Sequence, residues 1–211
     1  MNAIKFTRLP FKPHRQQQTG FALFAALMFM VGLTVLAVTV LRSSTLGERI
    51  AGNDIDRVRA YQAAEATLRD AQLDIQHLTS AGVSCIGISP CRAMNLFPSR
   101  ENGETDLAVG CTAGICFIPT ATMQTDGIVG PWDSSHSQFA NSAQFGQFSG
   151  ANWTQLSTAI GTGVQLATQP RYWIEIIPPL GEYEAYRYRI TATASGVNAN
   201  TLVTLQETFQ P

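Results

Sequence analysis

The sequence contains almost no lysine, and its basic residues are unevenly placed. Both lysines, Lys5 and Lys12, lie within the first 20 residues. The residues that follow carry ten arginines against fifteen acids, which gives that stretch a formal charge of −5, compared with −1 for the whole chain. Nucleic acid is bound by basic surfaces. The composition therefore argues against a nucleic-acid partner.

Charge of either sign is absent from residues 21–41. A helix rises about 1.5 Å per residue, so this stretch would be about 30 Å long, enough to cross the hydrocarbon core of a bilayer. A single span must be helical there, because the bilayer offers no partner for free backbone groups. The chain has no acid before Glu48 and four basic residues ahead of the span: Lys5, Arg8, Lys12 and Arg15. This asymmetry predicts a cytoplasmic N-terminus and an exported remainder, with a single pass through the membrane.

A secretory cleavage site is also missing on the far side of the span, where Leu41 is followed directly by Arg42. The distinctive junction lies on the near side, at Gly20 and Phe21. A polar, basic leader that ends in glycine before an unbroken apolar helix resembles the processing site of type IV prepilins. The resemblance implies a leader of residues 1–20, cleavage by a prepilin peptidase after Gly20, and methylation of Phe21. The alternative is an uncleaved membrane anchor in which Gly20 is incidental.

Beyond the span, Gly47 and Gly52 would each weaken a helix by about 1 kcal/mol relative to alanine. Asn53 is suited to cap a restarted helix. Apolar residues then recur at three- and four-residue steps, which predicts an amphipathic outer helix over 54–80. The residues of this stripe are Ile55, Val58, Tyr61, Ala64, Leu68, Ala71, Ile75 and Leu78. Gly82 offers a stop.

The last forty residues predict the sheet of a globular head. Three segments rich in β-branched and aromatic residues are separated by turn signals, and the second alternates apolar with polar residues. They predict an antiparallel meander over 171–209 with one apolar face. We expect a head at 83–211 and a long helix over 21–82 whose outer stripe covers that face.

Several segments resemble the PilX family, which comprises minor pilins of type IV pili. The N-terminal likeness lies over residues 20–75, in Arg42-Ser-Ser-Thr-Leu-Gly-Glu-Arg-Ile-Ala-Gly-Asn and in Tyr61-Gln-Ala-Ala-Glu-Ala-Thr-Leu-Arg-Asp-Ala. The C-terminal likeness lies in Tyr186-Arg-Tyr-Arg-Ile-Thr-Ala and Val203-Thr-Leu-Gln-Glu-Thr-Phe, and residues 80–165 are not covered. The family implies an α+β pilin-like fold and a part in initiating and assembling pili, and hence in twitching motility and adhesion. It also implies other minor pilins, the major pilin and a tip adhesin as partners.

Ala25 departs from the pattern of major pilins, which carry a glutamate five residues in from the cut. In a filament that carboxylate pairs with the charged amino terminus of a neighbouring subunit. A buried charge without a partner costs several kcal/mol, so a chain with Ala25 cannot pair with a subunit docking above it. The resemblance therefore implies a place at or near the pilus tip. The alternative is that Ala25 is simply one more apolar residue of an anchor.

All four cysteines lie between residues 85 and 116, and an even number in an exported domain favours disulfides. Three connectivities are possible. Nearby glycine and proline favour two short local loops, Cys85–Cys91 and Cys111–Cys116. The spacing does not match the short Cys-x₂-Cys knuckles of structural zinc sites, so we expect no metal.

The middle of the chain gives weaker signals. The acidic run at 100–106 lacks the spacing of an EF-hand and reads as a solvated turn rather than a calcium site. Residues 120–170 are polar with scattered aromatic rings, which fits a long connection anchored by those rings, or else a binding surface. His77 and His136 have no evident catalytic neighbours, and adjacent residues such as Asp133 and Ser134 do not form a triad, which is assembled in space.

The resulting hypothesis is a minor pilin without catalytic residues or cofactors, held in the inner membrane before assembly and found on the extracellular pilus afterwards. One alternative is a pseudopilin of a type II secretion system, which shares the cleavage junction. Another is an anchored periplasmic enzyme, which would need a nucleophile, a base and an orienting group together. The sequence shows no such constellation.

Overall fold

A computed structural model describes residues 20–93, 96–97, 109–117, 130–161, 163, 165–177 and 186–211. The chain divides into two compact units, residues 1–50 and residues 51–211. The predicted leader, apart from Gly20, lies outside the described residues, and so does the acidic run at 100–106.

Helix α1 spans Phe21–Ile75 and contributes to both units. It is helical through Gly47, Gly52 and Asn53, so no second helix begins at Asn53 as the sequence suggested. A glycine destabilises a helix by only about 1 kcal/mol relative to alanine. The helical residues on both sides of each glycine continue the backbone hydrogen bonds of the helix. The capping signal at Asn53 is therefore overridden.

The end of α1 corrects the predicted bounds of 80 and 82. The helix stops at Ile75, and His77 takes a left-handed conformation with φ of 53°. The N–H of Leu78 donates to the carbonyl of Leu73 at 2.8 Å, and the N–H of His77 donates to that of Asp74 at 3.1 Å. This is the Schellman pattern of helix ends, here with histidine in the place that glycine usually takes.

The described residues of the second unit form a six-stranded sheet whose main path runs β1-β2-β4-β5-β6, with β3 also pairing with β4. The strands are β1 (Gly110–Thr112), β2 (Ile115–Phe117), β3 (Ala143–Gln144), β4 (Arg171–Ile177), β5 (Arg187–Ser195) and β6 (Leu202–Phe209). The last three form an antiparallel meander in the region where the sequence predicts one. The α+β class is confirmed, but the sheet is mixed rather than purely antiparallel, because β2 runs parallel to β4.

The face of α1 that packs on the sheet differs from the predicted stripe. Leu68, Ala71 and Ile75 belong to the main core, but Ile55, Val58 and Tyr61 are each more than half exposed. Ala64 of the stripe is buried too, and the rest of the buried face consists of small and acidic residues outside the stripe: Asp56, Ala60, Ala63, Thr67, Asp70 and Asp74. Alanines let the helix approach the sheet closely, so large apolar residues are not needed along this face.

Secondary structure is present where the sequence suggested only a polar connection. It comprises a short 3₁₀ helix (Phe139–Asn141), strand β3 and helix α2 (Trp153–Ile160). Asn152 caps α2, its side chain accepting the N–H of Thr154 at 2.8 Å. Trp153 and Ile160 pack against a second core that includes Ala63 and Ala64 of α1. The rings of this region therefore anchor it to the head.

Candidate functional site

The junction at Gly20 stands directly at the start of α1. Gly20 is exposed and has a φ of +98°, a conformation that side-chain-bearing residues rarely adopt. Its carbonyl accepts the N–H of Phe24 at 3.4 Å, and helical structure begins at Phe21. The glycine that the sequence marks for processing is thus the residue immediately outside the helix.

Within the first unit, residues 21–41 of α1 present an exposed and entirely uncharged surface. The hydroxyls of Thr34 and Thr39 donate to the carbonyls of Val31 and Leu36 at 2.8 and 2.7 Å, so these polar groups have partners inside the helix. Among the described residues, α1 is the helix long and apolar enough to cross a membrane. Ala25 lies on this surface and adds no polar group to it.

In the second unit, α1 is held to the head by three aspartates that the sequence reading missed. Asp56 is the first of them. It accepts the backbone N–H groups of Val197 at 2.6 Å and Asn198 at 3.2 Å, in the turn between β5 and β6. Burial disfavours its charge, but hydrogen bonds from Thr201, Val197 and Asn198 outweigh burial and lower its pKa. The carboxylate of Asp56 also occupies the space that a Cβ atom on Gly196 would take.

Asp70 fixes a second connection, the turn after β3. It accepts the hydroxyl of Ser149, and the N–H of Gly146 at 2.7 Å. Burial raises its pKa, and the neighbouring Asp74 raises it further, while the two hydrogen bonds oppose the shift. The carboxyl is therefore kept in place by donors but is less acidic than an exposed aspartate.

Asp74 is the centre of a buried ion pair. Both of its oxygens accept the Nε–H of Arg92, at 2.8 and 2.9 Å, and one also accepts the hydroxyl of Tyr172 at 2.8 Å. Burial raises the pKa of Asp74 against the opposing effect of Arg92. Burial, together with Asp74, raises the pKa of Tyr172 well above its ordinary value, so its hydroxyl keeps the proton it donates.

Arg92 ties four parts of the head together. Besides Asp74, it reaches the carbonyl of Ala113 in the β1–β2 turn at 2.5 Å. Its guanidinium lies 3.4 Å from the centre of the Phe148 ring, a cation–π contact. It directly follows Cys91, so the first disulfide loop ends at the residue that neutralises Asp74.

The structure joins Cys85 to Cys91 and Cys111 to Cys116, with Cα atoms 5.8 and 4.0 Å apart. These are the two local loops that the sequence favours. The second pair packs with Trp173 on the sheet face away from the main core, and Trp132 and Phe139 cover it. The second disulfide therefore belongs to a cluster that covers one face of the sheet.

The histidines and the polar run near His136 form local structure. Asp133 accepts both the N–H and the hydroxyl of Ser135, at 2.8 and 2.6 Å. The Nδ1 of His136 accepts the N–H of Gln138 at 3.1 Å. Burial, with Arg92 nearby, lowers the pKa of His77. The contacts of Asp133 and His136 make turns, and among the described residues they bring no nucleophile to the His136 ring.

The three aspartates can hold a helix against a sheet, but they are poorly placed for catalysis. Asp74, Arg92 and Tyr172 are each at most 5% exposed, so a substrate in solvent would not reach them. In the described part of the chain, no group of three His, Cys, Asp or Glu residues could hold a metal ion. Donors from distant loops were invisible in the sequence, although three aspartates at near-helical spacing beside alanines were a usable signal.

Comparison with protein families gives two matches, one at each end of the chain. The family described as "PilX N-terminal" matches residues 19–69, and that described as "Type IV pilus assembly protein PilX C-term" matches residues 112–211. No curated protein and no solved structure matches the chain. The first match covers the junction and the apolar helix, and the second covers the whole meander. The chain belongs to the PilX family of minor pilins, which take part in type IV pilus assembly.

Proposed function

We propose that this minor pilin is cut between Gly20 and Phe21, waits in the inner membrane with its head in the periplasm, and helps to start a pilus at whose tip it stays. One observation carries the proposal: α1 begins directly after an exposed glycine, and its first 21 residues are uncharged. Its nearest partners would be other minor pilins, the major pilin and a tip adhesin. The family consists of structural components of the pilus, and we propose no catalytic role.

The processing step can be tested by Gly20→Leu. A bulky residue would be strained at a φ of +98° and would obstruct a peptidase site that fits glycine closely. Gly32→Leu is the matched control, because Gly32 lies within the apolar part of α1 with open space around it. Mass spectrometry should find methylated Phe21 first in wild type and in the control, and the full-length precursor with a loss of pili in Gly20→Leu. Normal pili built from uncut protein would refute the proposal.

The tip position rests on Ala25. A subunit docking above would bring its charged amino terminus into the uncharged surface of residues 21–41, where no carboxylate is present to pair with it. A charge buried without a partner costs several kcal/mol. The chain can still insert its own amino terminus beside the glutamate of a subunit below. Growth above it is therefore disfavoured, and it should remain at one end.

Immunogold labelling of sheared pili tests this position. Wild-type protein should label sparsely and mostly at one filament end. Ala25→Glu should add modest labelling along the shaft, because the new carboxylate supplies the missing partner, although unpaired it costs a few kcal/mol in the bilayer. Ala26→Glu is the matched control, because it adds the same charge on another side of the helix. Label along the whole shaft in wild type would refute the tip position.

A further inference from the structure

The loop closed by Cys85 and Cys91 lies at the end of α1. The N–H of Cys85 donates to the carbonyl of His77 at 3.0 Å, and Ser84 forms a β-bridge with Leu78. Cys85 is therefore fixed to the end of α1 by backbone bonds that do not need its sulfur. The disulfide joins this fixed point to Cys91, whose Cα atom is 5.8 Å from that of Cys85.

Arg92 follows Cys91 directly, and its side chain binds the same end of α1. Its Nε–H donates to both oxygens of Asp74, at 2.8 and 2.9 Å, and Asp74 precedes His77 by three positions. The disulfide and the ion pair therefore close almost the same loop of chain by two separate links. When two links close one loop, each raises the effective concentration at which the partners of the other meet. The disulfide should thus favour the ion pair, and the ion pair should favour the disulfide to the same extent.

The second disulfide is held together in a different way. Cys111 and Cys116 are direct partners in the β1–β2 ladder, and Cys116 also pairs with Glu175 of β4. The strands therefore keep these two cysteines opposite each other whether or not their sulfurs are joined. Trp132 and Phe139 pack against the cluster to which they belong. Opening this disulfide should change little in its surroundings.

The two disulfides also differ in exposure. Cys116 is fully buried and Cys111 is 6% exposed. Cys91 is partly exposed, and residues 86–89 of its loop are all exposed, with Ile88 at 66%. In thiol–disulfide exchange a thiolate has to reach one of the two sulfurs. The first disulfide is therefore the one that an attacking thiolate can reach, at Cys91.

Arg92 connects the state of the first disulfide to the rest of the head. Its guanidinium also donates to the carbonyl of Ala113 in the β1–β2 turn and lies against the ring of Phe148. A buried cation needs its partners, and opening the loop lets the Arg92 side chain move out to water. Asp74 would then keep the hydroxyl of Tyr172 as a donor but lose its countercharge. Reduction at Cys91 should therefore loosen the end of α1, the β1–β2 turn and the turn after β3 together.

We propose that the Cys85–Cys91 disulfide is a redox latch that holds Arg92 against Asp74. In closing, the two thiols lose two protons and two electrons and form an S–S bond, while the disulfide of a dithiol oxidant breaks and gives two thiols. A dithiol reductant reverses this exchange and opens the latch. The latch is a property of the head alone. The proposed function enters only for the place where it closes, because an exported head meets an oxidising compartment.

Reduction of the full chain in detergent tests which disulfide opens first. The folded chain is equilibrated with mixtures of reduced and oxidised dithiothreitol, its free thiols are alkylated, and mass spectrometry identifies the labelled cysteines. Cys85 and Cys91 should be labelled at a lower proportion of reduced dithiothreitol than Cys111 and Cys116. Joint labelling of all four, or earlier labelling of Cys111 and Cys116, would overturn the proposal.

Variants of the ion pair then test the coupling. Asp74→Asn removes the countercharge, so Cys85 and Cys91 should be labelled at a ratio of reduced to oxidised dithiothreitol about tenfold lower than in wild type. Arg92→Gln should shift the ratio in the same direction and serves as a second variant in case the first misfolds. Asp56→Asn is the matched control, because it changes a carboxylate on the same face of α1 that another turn holds, and it should leave the ratio unchanged. An equal shift in the control, or no shift in the ion-pair variants, would overturn the proposal.

Hydrogen exchange distinguishes a latch from a cross-link without local consequences. Labelling within the first minute detects local opening but not the rarer global unfolding. With the latch permanently open in Cys85→Ser with Cys91→Ser, exchange should rise in residues 76–92 and in the turn after β3, but not in β5 or β6. Cys111→Ser with Cys116→Ser is the matched control and should leave exchange in residues 76–92 unchanged.

Wild-type exchange in residues 76–92 of the open-latch variant, or an equal rise in the control, would overturn the proposal. None of these measurements depends on cleavage of the leader or on the presence of pili. Failure of the latch would therefore leave the proposed function standing.

Discussion

Asp56 and Asp74 lie on the same buried face of α1, yet they differ in their hydrogen-bond partners and in the direction of their pKa shifts. Asp56 is held by the β5–β6 turn, whose N–H groups favour its charge and lower its pKa. Asp74 is enclosed with Arg92 and Tyr172, and its burial raises its pKa in spite of the ion pair.

The difference shows that the same residue type can serve two kinds of attachment. Backbone donors in a turn near solvent stabilise a carboxylate and need no countercharge. A fully buried carboxylate needs Arg92, and removing either partner leaves the other charge uncompensated. The attachment at Asp74 should therefore be the more fragile to mutation, and that at Asp56 the more sensitive to acid.

The largest effect is expected from Asp74→Ala. It leaves Arg92 buried without its countercharge, so the free energy of unfolding should fall by about 3–5 kcal/mol. Glu65→Ala is the matched control, because it removes an exposed acid from the same helix and should change stability by at most about 0.5 kcal/mol. Urea denaturation of the full chain in detergent measures both. A loss below about 1 kcal/mol would show that Arg92 is solvated without Asp74.

A smaller loss is expected when the loop that ends beside Arg92 is opened. Cys85→Ser with Cys91→Ser should cost about 2–3 kcal/mol by the chain-entropy estimate. When these substitutions are combined with Asp74→Ala, the loss of unfolding free energy should be smaller than the sum of the two separate losses, because both act through Arg92. Fully additive losses would show that the disulfide and the ion pair stabilise the head independently.

The pairing on which this variant depends is itself testable. Without reductant, thiol alkylation should label none of the four cysteines. Peptide mapping should link Cys85 to Cys91 and Cys111 to Cys116. A crossed link such as Cys91 to Cys111 would refute the local loops.

The smallest effects concern pH, and they should have opposite signs. The folded pKa of Asp70 is raised, so the stability associated with its protonated form is lost as pH rises through that value. Asp70→Asn should therefore gain on wild type as pH rises above about 4, where an ordinary aspartate ionises, and through the raised pKa of Asp70. The folded pKa of Asp56 is lowered, so its stabilisation is lost as pH falls through that value. The deficit of Asp56→Asn should therefore shrink in acid. Melting temperatures measured upward from about pH 4 for Asp70 and downward from about pH 4 for Asp56 give the two slopes, and equal signs would contradict the comparison.

The sequence predicted well where the pattern is local. The uncharged run at 21–41 could only be an apolar helix, and the alternation around Tyr188 and Ile190 predicted a strand where β5 lies. The prediction of a single buried face was wrong for β5, because Thr191 and Thr193 on its other face are buried too. The segments like PilX at both ends agreed with the family matches. The processing residues Gly20 and Phe21 stay a prediction that the chemistry of cleavage has to test.

The errors arose where distant residues decide the outcome. Counting apolar residues assigned Ile55 and Val58 to the core, whereas alanines and aspartates occupy the buried face. The stop was placed at Gly82 because glycine suits a left-handed helix end, but His77 takes that conformation. Nothing local to Ile115 showed that β2 would pair parallel to β4.

By itself, the sequence determined the elements whose environment is uniform: a charge-free span that suits a bilayer, and strands whose period of two separates an inner from an outer face. Only the tertiary structure decided which charges could be buried. A carboxylate on α1 is tolerated inside the head when it accepts hydrogen bonds from N–H groups of the β5–β6 turn, or from Arg92 and Tyr172. Those partners lie far away along the chain, and the free energy of a buried charge depends on where they are in space.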